Sequence, residues 1–590
     1  MDKENVGTLL GSYLRWLGWL VGGLPEIKSE IPKLLPALPR ILDNRIRAFT
    51  SDLPSTVNAI MGGQMGKIFL KLFETDKPFT VCGDKRFTYR EARDRMLRLT
   101  NGLIDLGWNG KNIAILSRNS NEYLETIFIP PLLLGCRCGM INFHLRSEEL
   151  KGVIENTGPQ FLLVEKEFLP EVEKAKLTTI DKLIVIGEDS PGNTVLYDDL
   201  IKSSSTKIPD ITANASIAPG PMYYTGGTSG LPKGVNSAGA LLNSALPTWN
   251  KPRPPLLDIF ANLQYIYGLG REKITNIDLC AGPLYHAGPM TWVLITIILG
   301  GKSVIMRTFD GEGALRLIEQ EKVSSLFAVP TIVRRMLMVP NKAEYDVSSL
   351  KSLSISGAPC QADLKREAVE YFGPVVYEFY SSSDLSLQTI LKPEHYLANP
   401  KKIESQGKVI PGVRLKILDE NGKECPPGKV GDVYISNFAT ALLEYYRDPE
   451  KTKSTFIKIG GEKFAKEGQL SYIDEDGFYY FVQRTTDIII SGGVNIYPDE
   501  IEAVLYKHPK VADVCVIGVP DLEWGESVKA IIELKNGEHA TEEEIIEFCK
   551  EHLASYKRPK SVEFWDKLPR SLDGKLLKRI IKEKYQKRGK

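Results

Sequence analysis

The sequence predicts an α/β protein with a large amino-terminal α/β domain and a small carboxy-terminal α+β domain. The first indication is a set of short apolar runs, NIAILS from Asn112, QFLLVEK from Gln160, KLIVIGE from Lys182 and KSVIMR from Lys302, separated by helical stretches. Continuous apolar runs of that length suit strands buried on both faces, and their alternation with helices is the βαβ rhythm of a parallel sheet. The second is a change of pattern after about Arg484, to the helix DEIEAVLYKH, the strands VADVCVIGV and SVKAIIEL, the helix TEEEIIEFCKEHL and a basic tail. The third is length, since 590 residues exceed one ordinary hydrophobic core.

Taken in order, residues 1–50 read as an amino-terminal extension, with four prolines between positions 25 and 39 breaking any helix there. Within it, residues 9–24, LLGSYLRWLGWLVGGL, are shorter than the roughly 20 apolar residues of a membrane span, carry Arg15 and run into Gly22, Gly23 and Pro25. MDKEN is not the basic leader of a signal peptide. Two readings fit equally. One is a membrane-surface helix, with Trp16 and Trp19 at the interface and Lys28, Lys33, Arg40, Arg45 and Arg47 following. The other is a helix packed on the protein's own body. Residues 51–484 form the large domain, and residues 485–590 the small one. Within the large domain FTYREARDRMLRLTNGLIDLG, from Phe87, has helical periodicity and ends at Gly107. There is no internal repeat and no low-complexity segment beyond the serines at 203 to 205.

Charge excludes little and suggests less: 75 Lys+Arg against 74 Asp+Glu give no electrostatic reason to expect a nucleic-acid partner. The eight cysteines, at 82, 136, 138, 280, 360, 425, 515 and 549, lack both zinc-site spacing and the density of a secreted scaffold, which implies a reducing, cytoplasmic setting. Cys136 and Cys138, inside an apolar stretch, read as buried packing.

The chemistry concentrates in YYTGGTSGLPKGV, from Tyr223 to Val235. Gly226, Gly227 and Gly230 permit close backbone approach, Thr225, Thr228 and Ser229 offer hydroxyl donors, and Lys233 adds positive charge, a combination suited to polyphosphate. It is not a P-loop, because Gly234 rather than Ser or Thr follows the lysine. A Gly-rich turn that holds no ligand has the same spacing.

This loop resembles the signature phosphate loop of the adenylate-forming enzymes, the superfamily of acyl-CoA synthetases, adenylation domains and luciferases. In the family's order the chain also carries PLYHAGP from Pro283, SGAP from Ser356, YSSSD from Tyr380, QRTTDIIISGGVNIYPDEIE from Gln483 and PRSLDGKLLKR from Pro569. The resemblance, over about residues 80 to 580, implies a large domain holding the ATP and acyl sites and a mobile carboxy-terminal cap. It implies that His286 lines the acyl pocket; that Gly357, Ala358 and Pro359, after Ser356, form an adenine-binding turn; that Tyr380 stacks on the base; and that Asp384 holds Mg²⁺. It further implies that Arg484 contacts the ribose, that Thr486 lies near the hinge, that Ser491, Gly492, Gly493, Val494 and Asn495 border the pantetheine tunnel, and that Lys575 stabilises the forming acyl-phosphate. Lys233, Thr228 and Lys575 then neutralise phosphate charge during adenylation.

The departures are specific. Gln469 stands where the family has an aspartate that binds both ribose hydroxyls, Asp384 replaces a glutamate, and Ser356 and Ser381 replace glycines. Glutamine accepts a hydrogen bond but brings no charge and no second acceptor oxygen, so weaker nucleotide binding is expected. The implied activity is ATP-dependent acid:CoA ligation through an acyl-adenylate, with ATP, Mg²⁺ and coenzyme A, on a carboxylic acid of medium or long fatty-acyl type. Acylation of a carrier protein, and a non-catalytic acyl or nucleotide binder, are the alternatives.

Overall fold

A computed structural model describes residues 65–145, 147–189, 191–211, 220–225, 233–235, 276–358, 360–382, 386–410, 413–437, 440, 453, 455–484, 487, 489–491, 494–521, 525–553, 555–570 and 576–586. The extension at 1–50, with its segment 9–24, lies outside them. Among the described residues no helix is long and apolar enough to cross a membrane.

The described part of the large body is built on two mostly parallel sheets rather than one. The first contains Val195–Leu196, Lys182–Ile186, Pro159–Glu165, Asn112–Leu116, Arg137–Met140, Gly220–Thr225 and Lys233–Val235, in that spatial order, and only its last pair is antiparallel. Its central strands are buried along almost their whole length, which is why they read as unbroken apolar runs. The second sheet aligns Val376–Ser382, Ser352–Ile355, Ser325–Ala328, Ile277–Cys280, Lys302–Ile305 and Pro78–Cys82 in parallel. Antiparallel strands Ser386–Leu391 and Lys408–Val409 close one edge and Lys85–Thr88 the other.

The helix expected from Phe87 begins later, at Tyr89, because Phe87 and Thr88 end a strand paired with Pro78–Cys82. Thr88 caps it: its backbone N–H donates to Glu91 Oε2 at 2.7 Å and its hydroxyl accepts from Glu91 N at 3.2 Å. The face carrying Tyr89, Met96, Leu97 and Leu103 is buried in the core between sheet and helices, and Gly107, at φ 89°, stops the run as its sequence implies. Cys136 and Cys138 are buried in the same core, and burial pushes the Cys136 thiol up to about 12.

A third, antiparallel sheet of Arg414–Leu418, Gly431–Ser436, Phe456–Ile459, Glu462–Ile473 and Tyr479–Arg484 was not separated out by the sequence pattern. Its strands mix buried with half-buried and exposed positions, so it lacks the fully buried apolar runs that mark the parallel sheets. It docks through Gly407, where the Tyr479 N–H donates to the Gly407 carbonyl at 2.8 Å. At φ 83°, a Cβ on Gly407 would lie 1.9 Å from Ile390 backbone atoms, so only glycine fits.

The carboxy-terminal unit follows the predicted order through helix Pro498–Leu505, long hairpin Val511–Asp521 and Gly525–Leu534, and helix Glu542–His552; where the sequence read only a basic tail, it adds strand Ser561–Phe564, paired with Gly525–Leu534, and helix Lys578–Gln586. Its core gathers Ile489, Ile496, Ile501, Leu505, Val514, Val528 and Ile545. Lys578, on the last helix, pairs with Glu502 at 2.9 Å and Asp499 at 3.6 Å, and Lys582 pairs with Asp487 at 3.0 Å.

Candidate active site

Four segments distant in sequence, three of them carrying the motifs at Pro283, Ser356 and Tyr380, lie at the carboxyl ends of four adjacent parallel strands of the second sheet. Ile277–Cys280 leads into PLYH, Ser325–Ala328 into Val329-Pro330-Thr331, Ser352–Ile355 into Ser356-Gly357-Ala358, and Val376–Ser382 toward Asp384. The carboxyl ends of parallel strands are where open α/β sheets bind ligands, because the loops there converge and helix amino termini face the crevice.

His286 caps the amino end of the apolar helix Ala287–Ile298 in extended conformation, φ −93° and ψ 143°. Its ring lies 4.4 Å from that of Tyr285, which meets Phe143 edge-on at 5.6 Å. Behind it Trp292 packs on Phe327 at 4.8 Å and Phe379 at 5.4 Å. A Cβ on Gly288 would come within 2.5 Å of the Phe327 ring, so glycine sets how closely this helix approaches the sheet.

Asn119, which the motif reading missed, holds the loop before His286. Its amide nitrogen donates to the carbonyls of Gly282 at 2.9 Å and Met306 at 3.0 Å, and its oxygen accepts from Leu284 N at 2.8 Å. It follows the strand Asn112–Leu116 of the first sheet, so it ties the carboxyl ends of the two sheets together. Glu165 adds a second tie, pairing with Arg307 beyond Lys302–Ile305 and accepting from Arg118 N at 2.9 Å. Burial alone would raise its carboxyl, but the Arg118 N–H and Arg307 outweigh burial and hold it below the usual range. The available signal for Asn119 was a polar SRNS segment directly after an apolar strand.

The glycine-rich segment lies at the edge of the first sheet. Gly220–Thr225 and Lys233–Val235 form a hairpin with Thr225 opposite Lys233, and Gly226, Gly227, Thr228, Ser229 and Gly230 fall in the connection, outside the described residues.

Around Tyr380 the structure is dense. Gly357, at φ 87°, turns the chain after Ser352–Ile355, with Ala358 following half-buried. Ser356 donates its hydroxyl to the Phe379 carbonyl at 2.8 Å and lies 2.9 Å from Ser381 Oγ. Two of the departures from the family pattern therefore contact each other and stitch the turn to the strand bearing Tyr380. The third joins them: Tyr380 donates its hydroxyl to Gln469 Oε1 at 2.7 Å. The Tyr380 ring is 9% exposed and stacks on Tyr479, centroids 4.8 Å apart at 26°. The Tyr479 hydroxyl lies 2.6 Å from Ser471 Oγ, and burial pushes its phenol well above the ordinary value. Gln469 sits in Glu462–Ile473 directly opposite Arg484 on the neighbouring strand. Below the turn, fully buried Lys365 pairs with Glu378 at 2.5 Å and donates to the Ser405 carbonyl at 3.0 Å.

The structure thus gathers His286, Gly357, Ala358, Tyr380, Gln469 and the Arg484 backbone into one region. Pro359, Asp384, Thr486, Gly492, Gly493 and Lys575 lie outside the described residues. The small unit meets the large one nearby: Arg334 lies over the Tyr506 ring at 4.8 Å, and Arg570 reaches Thr331 Oγ1 at 3.4 Å.

A two-sheet α/β body with its loops converging at strand carboxyl ends, followed by a small α+β unit, is the architecture of adenylate-forming enzymes. The family model described as AMP-binding enzyme matches residues 71–446, and that described as AMP-binding enzyme C-terminal domain matches residues 500–575. The chain belongs to this family of adenylate-forming acid ligases. It is 28% identical to the fatty acid–[acyl-carrier-protein] ligase of Streptomyces coeruleorubidus, over 87% of this chain and 94% of that one. It is 30% identical to the feruloyl-CoA synthase of an Amycolatopsis species, over 85% of this chain and 95% of that one. The ATP-bound crystal structure of MatB from Rhodopseudomonas palustris superposes with a TM-score of 0.73 at 25% identity, covering 89% of this chain and all of that one.

Proposed function

We propose that the protein is an ATP-dependent acid:CoA ligase acting on a medium- or long-chain fatty acid. The observation that carries this reading is the convergence of the PLYH, Val-Pro-Thr, Ser-Gly-Ala and Tyr380 segments at adjacent strand ends, in a fold whose ATP-bound relative superposes along its whole length. The acid carboxylate attacks the α-phosphorus of ATP, the Pα–O bond to pyrophosphate breaks, and an acyl-adenylate forms. CoA thiolate then attacks the acyl carbon and AMP leaves. No covalent enzyme nucleophile is required, so catalysis rests on alignment and charge neutralisation.

In this reading the acid enters beside His286, at the amino end of Ala287–Ile298, where the helix dipole favours a carboxylate. Gly357, Ala358 and Pro359 form the adenine surface with Tyr380. Gln469 and Arg484, paired across two strands, face the ribose. Thr225 to Gly230, with Lys233, cradle the phosphates, Lys575 reaches the reacting carboxylate, and Gly492 and Gly493 border the path of the thiol. Mg²⁺ would be held by Asp384, which follows Val376–Ser382 in the chain, and would neutralise polyphosphate charge. Residues 51–484 and 485–590 are the two domains, with the hinge near Thr486. The cytoplasm, with residues 9–24 resting on a membrane surface or on the protein, is the proposed location.

Carrier-protein acylation is the second reading, favoured by the name of the Streptomyces relative. AMP release by the purified protein with Mg²⁺, CoA and acids from acetate to palmitate plus benzoate tests both. Release that depends on octanoate or longer acids and on CoA supports the ligase. Release only when a phosphopantetheinylated carrier replaces CoA supports the second reading, and absence of release from every acid and acceptor overturns both.

A further inference from the structure

We infer that Gln469 sets a permissive ribose selectivity, so that the site separates ATP from its 2′- and 3′-deoxy analogues only weakly. The inference rests on the proposed placement of the nucleoside against Tyr380. A carboxylate at position 469 would offer two charged oxygens, one for each ribose hydroxyl. Gln469 offers one neutral oxygen, and that oxygen already accepts from the Tyr380 hydroxyl at 2.7 Å. That bond takes one of the oxygen's two lone pairs, so what is left to meet a ribose is one neutral lone pair and the amide N–H₂, against the two charged oxygens of a carboxylate.

The Gln469–Tyr380 link is held from both sides. Stacking on Tyr479 holds the Tyr380 hydroxyl oxygen beside Gln469 Oε1. Its strand is pinned by Ser356, which bonds to the residues on either side of it, Phe379 at 2.8 Å and Ser381 at 2.9 Å. Gln469 is itself 9% exposed and fixed in register opposite Arg484. The serines and the glutamine therefore act as one unit that commits one lone pair of the glutamine oxygen to the protein. Loss of a ribose hydroxyl that faces a neutral partner costs about tenfold or less, against about 10- to 150-fold for one facing a charged acceptor.

Glu in place of Gln469 keeps the oxygen that Tyr380 uses and replaces the amide nitrogen by a charged oxygen of the same reach. The test is calorimetric binding of ATP, 2′-deoxyATP and 3′-deoxyATP with Mg²⁺, to the wild type and Gln469→Glu, at about pH 8 so that the carboxylate is ionised. Acid-dependent AMP release from the same nucleotides is measured in parallel. The expected result is a wild-type preference for ATP of about tenfold or less, widening severalfold or more in Gln469→Glu. Tyr380→Phe, which frees the glutamine oxygen, should widen the preference too, and serves if Gln469→Glu does not fold. Strong discrimination by the wild type, or an unchanged ratio in variants that still bind ATP, overturns the inference. Binding ratios as expected without AMP release from any acid would sink the ligase reading and leave this one standing. No binding of ATP at all would overturn both.

Discussion

The guanidinium of Arg570 donates to both carboxylate oxygens of Asp513, at 2.6 Å each, while its remaining nitrogen reaches Thr331 across the boundary to the large body. Tyr506 donates to the same carboxylate at 2.6 Å and carries Arg334 over its ring. One bidentate pair therefore orders the small unit internally and aims two of its side chains at the large one. Arg570→Ala should cost the small unit about 1.5–3 kcal/mol in chemical denaturation, the value of hydrogen bonds to a charged group. Arg334→Ala removes one of the two named contacts between the units and none inside the small one. It should leave that stability unchanged while increasing the radius of gyration in solution scattering.

Lys365 and Glu378 are both buried, and burial pushes the Glu378 carboxyl above its ordinary value even with the ammonium beside it. Removing one partner strands the other in a low-dielectric site. Lys365→Met is expected to destabilise the large body by about 3–5 kcal/mol, and Lys365→Met with Glu378→Leu to recover most of that. Thermal unfolding of the two variants checks this, and equal losses in both would refute it.

Glu321, at the end of helix Gly311–Glu321, receives Arg86 at 2.7 Å and Lys302 at 2.7 Å, joining that helix to the strands Lys85–Thr88 and Lys302–Ile305 of the second sheet. The Arg86 hydrogen bonds, with Lys302, outweigh burial and pull its carboxyl down to about 2 from an ordinary 4.5. A depressed folded-state value means that the stabilisation is complete above about pH 4.5 and is lost as pH falls from there through about 2. The melting-temperature gap between wild type and Glu321→Gln should be constant near neutrality and shrink below about pH 4.5.

Asn119 satisfies two carbonyls and one N–H that hold the loop before His286. Asn119→Ala should cost about 2–4 kcal/mol, since buried backbone groups lose their partners. Acid-dependent AMP release should show a larger rise in KM for the acid than for ATP. The reverse pattern would place the acid elsewhere than beside His286.

Much of the fold was legible because its cause is local. Strands such as Asn112–Leu116 and Pro159–Glu165 are buried on both faces and so carry unbroken apolar runs, residues 113–116 and 161–164, with polar residues only at their ends. Gly107 ends its helix because the chain there takes a positive φ. The helix start at Tyr89 was misplaced by two residues because Phe87 and Thr88 are claimed by pairing with Pro78–Cys82, which no local pattern reports. The antiparallel sheet from Arg414 to Arg484 stayed hidden for the related reason that its strands are only partly buried and its partners lie far along the chain.

Sequence by itself determined which residue types are present and in what order: the glycine-rich loop, the motifs from Pro283 to Lys575, and the substitutions at Ser356, Ser381, Asp384 and Gln469. Tertiary structure alone decided that three of those substitutions form one hydrogen-bonded unit, through contacts 25 and 89 residues apart in the chain. It also decided that Asn119 reaches a loop 163 residues away. A hydrogen bond depends on the direction and separation of two groups to within tenths of an ångström, and packing of distant strands sets both, so residue identity alone cannot specify them.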